Sequence, residues 1–114
     1  IKAVLKKLGS EFTLVENGKD ALEEMKSRPE NYDVILMDCE MPIMDGFTAS
    51  QHIRALPSDQ TILTPIIALT AHAMEAHKER ARESGMNGFV TKPLKPSNLV
   101  DVIQDVISGN NNIS

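Results

Sequence analysis

The 114-residue chain has room for one domain, and its 41% hydrophobic and 25% charged residues are the balance of an ordinary globular protein. Its net charge of −4, with acids and bases interspersed, provides no basic face for nucleic acid, and no apolar run approaches the roughly 18 residues of a membrane-crossing helix. The single cysteine, Cys39, excludes an intrachain disulfide framework and a cysteine-based zinc site.

In chain order, Ile1, Val4, Leu5 and Leu8 recur at helical spacing, and Gly9 suits a C-terminal cap, so the first segment is expected to be a helix. Phe12 to Val15 is a short strand candidate, and Asn17-Gly18 turns the chain. Ala21, Leu22 and Met25 mark an amphipathic helix stopped near Pro29. Val34-Ile35-Leu36-Met37 is a strand-length run with no polar alternation, ending abruptly in Asp38, which suits a strand buried on both faces. Pro42 and Asp45-Gly46 make a loop, with Asp45 placed to cap the next helix, whose apolar face is Ala49, Ile53 and Leu56. Pro65 opens a second buried run, Ile66 to Leu69, ending in Thr70. Ala73 to Ser84 reads as a helix closed by Gly85, with a thin apolar stripe of Met74, Ala76 and Ala81. Gly88 to Thr91 is a strand ending at Lys92-Pro93. Pro96, a favoured first helical residue, opens the last helix, with Leu99, Val102, Ile103 and Val106 as its stripe. Alternating helices and unpatterned apolar strands predict an α/β doubly wound parallel sheet.

Ligands gather at the carboxyl ends of strands in such sheets. Three successive strands end here in an acid (Asp38), a hydroxyl (Thr70) and an ammonium (Lys92). A carboxylate nucleophile, a cation for phosphate and a hydroxyl donor together suit phosphoryl transfer to an aspartate.

The segment from Tyr32 through Asp38-Cys39-Glu40-Met41-Pro42 to Asp45-Gly46 resembles the phosphoacceptor region of two-component response regulator receiver domains. Ala68-Leu69-Thr70-Ala71 and Gly88-Phe89-Val90-Thr91-Lys92-Pro93 resemble the family's next two signatures, in order and spacing. The wording around Asp38, with Leu69-Thr70-Ala71-His72-Ala73, is similar to receivers of hybrid sensor histidine kinases. The resemblance runs from Ile1 to about Ile107 and implies a flavodoxin-like sheet of order 2-1-3-4-5. It implies that Asp38 is the phosphoacceptor, that Lys92 pairs with the phosphoryl oxygens and that Thr70 bonds one of them. Phe89 would be the aromatic switch that follows Thr70. Magnesium would be held by Asp38 and the Glu40 carbonyl. Glu40 and His72 would influence the lifetime of the phosphoryl group, and the Lys92–Pro93 peptide would be cis.

The family's opening strand ends in two adjacent acids that hold magnesium, and no such strand precedes Ile1. The resemblance thus implies a receiver domain over 1–108, truncated at its N-terminus, with a tail or linker over 109–114. The lost strand would be the centre of the sheet. Its loss is expected to leave two open edges and an unfilled core, or room for a strand from another chain. Magnesium is expected only with the missing acid pair.

Simpler roles are assigned elsewhere. Cys39 reads as a buried small apolar residue. His52, His72 and His77 have no metal-ligand partners in the sequence, and Glu75–Lys78 and Glu79–Arg82 read as a solvated face. The expected function is acceptance of a phosphoryl group from a histidine kinase or histidine phosphotransfer protein onto Asp38, a phosphoacceptor role rather than that of a turnover enzyme. The surface of helix 73–84, strand 88–91 and the last helix would switch in response. The alternatives are a docking or dimerisation module independent of phosphorylation, and the C-terminal piece of a histidine kinase whose activity lies elsewhere. A flavin-binding protein would need a phosphate loop after its first strand and more aromatics. No charged-then-apolar leader opens the chain, so a cytoplasmic location is expected, with no contact to nucleic acid or membrane.

Overall fold

A computed structural model describes residues 3–7, 12–28, 32–41, 43–57, 64–72, 74–109 and 113. Two strands open it, β1 (Ala3–Lys6) and β2 (Phe12–Val15), followed by helix α1 (Gly18–Ser27) and β3 (Val34–Asp38). Then come α2 (Gly46–Arg54), β4 (Ile66–Thr70), α3 (Glu75–Glu83), β5 (Gly88–Thr91) and α4 (Pro96–Ile107). The five strands form one sheet in the order β2-β1-β3-β4-β5. That is the expected order. The expectations that rest on Ile1, Leu8, Gly9, Pro29, Pro42 and Ala73 fall outside the described residues, and the described elements from Phe12 onward lie where the sequence places them.

The first segment does not. The expected helix over Ile1 to Gly9 is instead a strand at Ala3–Lys6, and it fills the central place expected to be empty. Unpaired backbone groups along β2 and β3 would be costly in the middle of a sheet, and pairing with β1 satisfies them. An isolated helix this short is marginal. In the strand, Ala3 and Leu5 enter the core while Val4 and Lys6 turn to the other face. The sheet is also mixed rather than parallel. β1 is antiparallel to β2, with Ala3 opposite Val15 and Lys6 opposite Phe12, and antiparallel to β3, with Ala3 opposite Met37. The link from residue 6 to residue 12 is too short for a parallel crossover, so a hairpin is the available geometry. β3, β4 and β5 are parallel neighbours.

Both faces of the sheet are packed. On one, Leu5, Ile35, Met37, Ile66 and Ala68 meet Met25 of α1 and Ile53 of α2. On the other, Val34, Leu36, Ile67, Leu69 and Val90 meet Val102 and Val106 of α4. β3 and β4 are buried along their whole length, which explains why they carry no polar alternation. Asn17 caps α1 by accepting from the Asp20 N–H at 2.8 Å. Asp45 caps α2 by accepting from the Thr48 N–H at 2.8 Å. Beyond α4, Ile113 packs against the first core, and its carbonyl accepts from Arg82 at 3.2 Å.

Candidate functional site: an acid, an ammonium and a hydroxyl at the sheet edge

The last residue of β3 is Asp38, only 5% exposed although ionisable. Its backbone lies opposite Leu69 of β4, and the Cys39 N–H donates to the Leu69 carbonyl at 2.9 Å, so the strand pairing carries the acid to the carboxyl edge. Gly46 lets α2 start against this strand end. A side chain there would put its Cβ 2.5 Å from the Asp38 carbonyl oxygen. The Gly46 N–H donates to the Cys39 carbonyl at 3.2 Å.

Two donors hold the Asp38 carboxylate. Lys92 Nζ, at the end of β5, lies 2.5 Å from Oδ2, and the Glu40 N–H donates to Oδ1 at 2.9 Å. The Lys92 N–H donates to the Thr70 carbonyl at 2.7 Å, tying the end of β5 to that of β4, and the Lys92–Pro93 peptide is cis. Thr70 is fully buried. Its hydroxyl donates to Glu40 Oε1 at 3.1 Å and accepts from the His72 N–H at 3.1 Å. His72 Nε2 lies 3.6 Å from the same Glu40 oxygen, and its ring stacks on His77 with centroids 5.2 Å apart. Ala3, Leu36, Asp38, Leu69, Lys92 and Leu94 line a cleft of about 340 Å3 beside the acid.

The structure thus brings Asp38, Lys92, Glu40, Thr70 and His72 together. Phe89, the sixth residue singled out, sits half-buried in β5 against the core on the α1 and α2 face. Cys39 is buried as expected, and burial, with Glu40 and Asp38 nearby, pushes its thiol up to about 12. Sequence reasoning missed the Thr70–Glu40 link, since a side-chain hydrogen bond across thirty positions leaves no local pattern. It also missed Arg54, which donates to the carbonyls of Gly85 and Thr64 and to Asn87 Oδ1 at 2.7 to 2.9 Å. Burial lowers that guanidinium to about 10.

The fold and this edge site define a class, the flavodoxin-like α/β domain with an aspartate at its carboxyl edge. The sequence model for the response regulator receiver domain matches residues 1–104, and the chain belongs to that family. It is 44% identical over 110 residues to hybrid signal transduction histidine kinase I of Dictyostelium discoideum, covering 94% of this chain and 6% of that protein. It is 39% identical over 103 residues to the signal transduction histidine-protein kinase BarA of Escherichia coli K12, covering 90% of this chain and 11% of that protein. The chain therefore spans a small part of these curated relatives. Among solved structures, the receiver domain of a sensor histidine kinase from Pseudomonas aeruginosa PAO1, with magnesium in its active-site cleft, aligns at TM-score 0.73 and 38% identity. That match covers 84% of this chain and 75% of that one. Chemotaxis protein CheY4 of Vibrio cholerae aligns at TM-score 0.74 and 30% identity, over 84% and 77% of the two chains.

The described residues, as placed, do not fit a magnesium ion. Such an ion wants oxygen ligands, several from carboxylates or phosphate. Of the carboxylates at this edge, Asp38 is already paired with Lys92 and Glu40 already accepts from the Thr70 hydroxyl. Among the described residues, no three acids, histidines or cysteines come together to hold a metal. The buried end of β1 that reaches this edge is Ala3, which brings only a methyl group. Among the described residues, no helix is long and apolar enough to cross a membrane.

Proposed function

We propose that this domain, residues 1–108 with 109–114 as its tail or linker, accepts a phosphoryl group onto Asp38 from a phosphohistidine of a histidine kinase or phosphotransfer protein. One observation carries the reading. A buried carboxylate at the mouth of a cleft is held by an ammonium at 2.5 Å on one oxygen and a backbone N–H at 2.9 Å on the other. Each oxygen keeps lone-pair capacity for attack. An Asp38 oxygen forms a bond to phosphorus while the P–N bond breaks, and the imidazole nitrogen keeps that electron pair. The ring, protonated on its other nitrogen, leaves neutral. Lys92 meets the negative charge that arrives. Thr70 leaves Glu40 for a phosphoryl oxygen, and Phe89, in the strand beside it, follows. The faces of α3, β5 and α4 then change shape for the next partner.

Magnesium belongs to this chemistry only where further acids reach the edge. The test therefore joins a strand ending in two adjacent acids ahead of Ile1 and supplies acetyl phosphate and magnesium. Intact mass is expected to show one phosphoryl adduct, lost in Asp38→Asn, while the unextended chain shows none and binds magnesium weakly. An adduct that survives Asp38→Asn, or no adduct in the extended chain, overturns the reading. The second outcome would favour docking or dimerisation without phosphorylation.

A further inference from the structure

β2 is the outer strand of the sheet, and among the described residues no strand pairs with its side away from β1. An edge strand turns alternate N–H and C=O groups outward, a template for one more strand. Beside this edge, between β2 and α1, runs a groove of about 450 Å3. Thr13, Leu14 and Val15 line it from the strand, with Glu16 after them, and Asp20, Glu23, Glu24 and Ser27 line it from the helix. Among the described residues that line it there is no lysine or arginine. Nearby Lys26 pairs with Glu23 at 3.6 Å across exposed surface, a contact weak enough to be exchanged, while half-buried Glu24 is held by Arg28 at 3.6 Å and by the Tyr32 hydroxyl at 2.6 Å.

The opposite face of the same strand has the reverse chemistry. Phe12 and Leu14 are large apolar side chains 57% and 45% exposed, Leu14 also bordering the groove. Lys6 Nζ lies 5.7 Å from the Phe12 ring centroid, which disfavours a further cation on that face. β5, the other edge, exposes no large apolar side chain among the described residues.

We propose that the β2 edge binds an extended partner segment of alternating basic and apolar residues as a sixth strand. Side chains alternate across a strand. One set of the incoming segment falls among the carboxylates beside α1. The other set continues the row of Phe12 and Leu14. Backbone pairing supplies affinity, and the two faces supply selectivity. A second copy of this chain fits poorly, because pairing β2 with β2 sets one acidic groove beside the other.

The test uses a synthetic peptide of alternating lysine and valine, with an alternating glutamate–valine peptide as its opposite. The lysine peptide is expected to bind, to protect the amides of residues 12–15 from exchange, and to weaken as salt rises. Glu23→Lys, an exposed change, is expected to weaken it about fivefold and to strengthen the glutamate peptide. Equal binding of both peptides overturns the proposal, as does a footprint on α4 instead of β2. Concentration-dependent protection of residues 12–15 with a dimeric mass overturns it in favour of a second copy.

Discussion

Asp38 and Thr70 are both buried, and Glu40 stands between them with its N–H on one and its carboxylate on the other. That carboxylate competes with any phosphoryl oxygen for the Thr70 hydroxyl and adds a negative charge where more must arrive. In the extended chain, Glu40→Ala is expected to raise the yield of phosphoryl adduct about fivefold, as a lost hydrogen bond near 1 kcal/mol implies. Intact mass at fixed time reads it, and an unchanged yield would show that Glu40 does not restrain Thr70. Cys39 gives a pH dependence. Its folded thiol sits at about 12, above the unfolded value, so the unfolded chain releases this proton first as pH rises. Its contribution is fully present below the ordinary thiol pKa of about 8.5 and is lost between there and about 12. Urea midpoints of the wild type are expected to fall more steeply across that window than those of Cys39→Ala, and parallel slopes would contradict it.

Helix α3 is the loosest element around the site. Ala81 is its only buried residue, and its N-cap Met74 supplies no side-chain cap and is 61% exposed. The Glu75–Lys78 and Glu79–Arg82 pairs lie on its solvated face and add a few tenths of a kcal/mol each. Its far end is pinned. Ser50 Oγ donates to the Ser84 carbonyl at 2.6 Å, and Arg54 reaches Gly85. α4 buries Val102 and Val106 against the sheet. Amides of α3 are therefore expected to exchange about tenfold faster than those of α4, as befits an element that moves in switching. Equal protection in hydrogen exchange would remove α3 from the switching surface.

The molecule as a whole depends on β1 holding the sheet together. Leu5 is fully buried, and β1 is the sole link from β2 to β3 within the sheet order. Leu5→Ala is expected to cost about 3 kcal/mol through lost burial and the cavity left behind. The chemical-denaturation midpoint reads it. A loss under about 1 kcal/mol would show that residues 3–6 contribute little to the core.

The buried runs of β3 and β4, the caps at Asn17 and Asp45, and the order of elements from Phe12 onward were legible in the chain, because each follows from local periodicity or a single capping side chain. Asp38, Thr70 and Lys92 were legible as strand-end residues for the same reason, since the end of an apolar run marks the sheet edge. The strand Ala3–Lys6 was not. Its apolar positions suit a helix, yet Ala3 and Leu5 also suit one face of a strand, and four residues are too few for one period to exclude the other. What decided between them was the demand of β2 and β3 for backbone partners, with a short link to Phe12 setting the antiparallel direction. The Glu40–Thr70 hydrogen bond, the Arg54 contacts and the β2 edge likewise arise only when distant segments meet, and no local pattern encodes such a meeting.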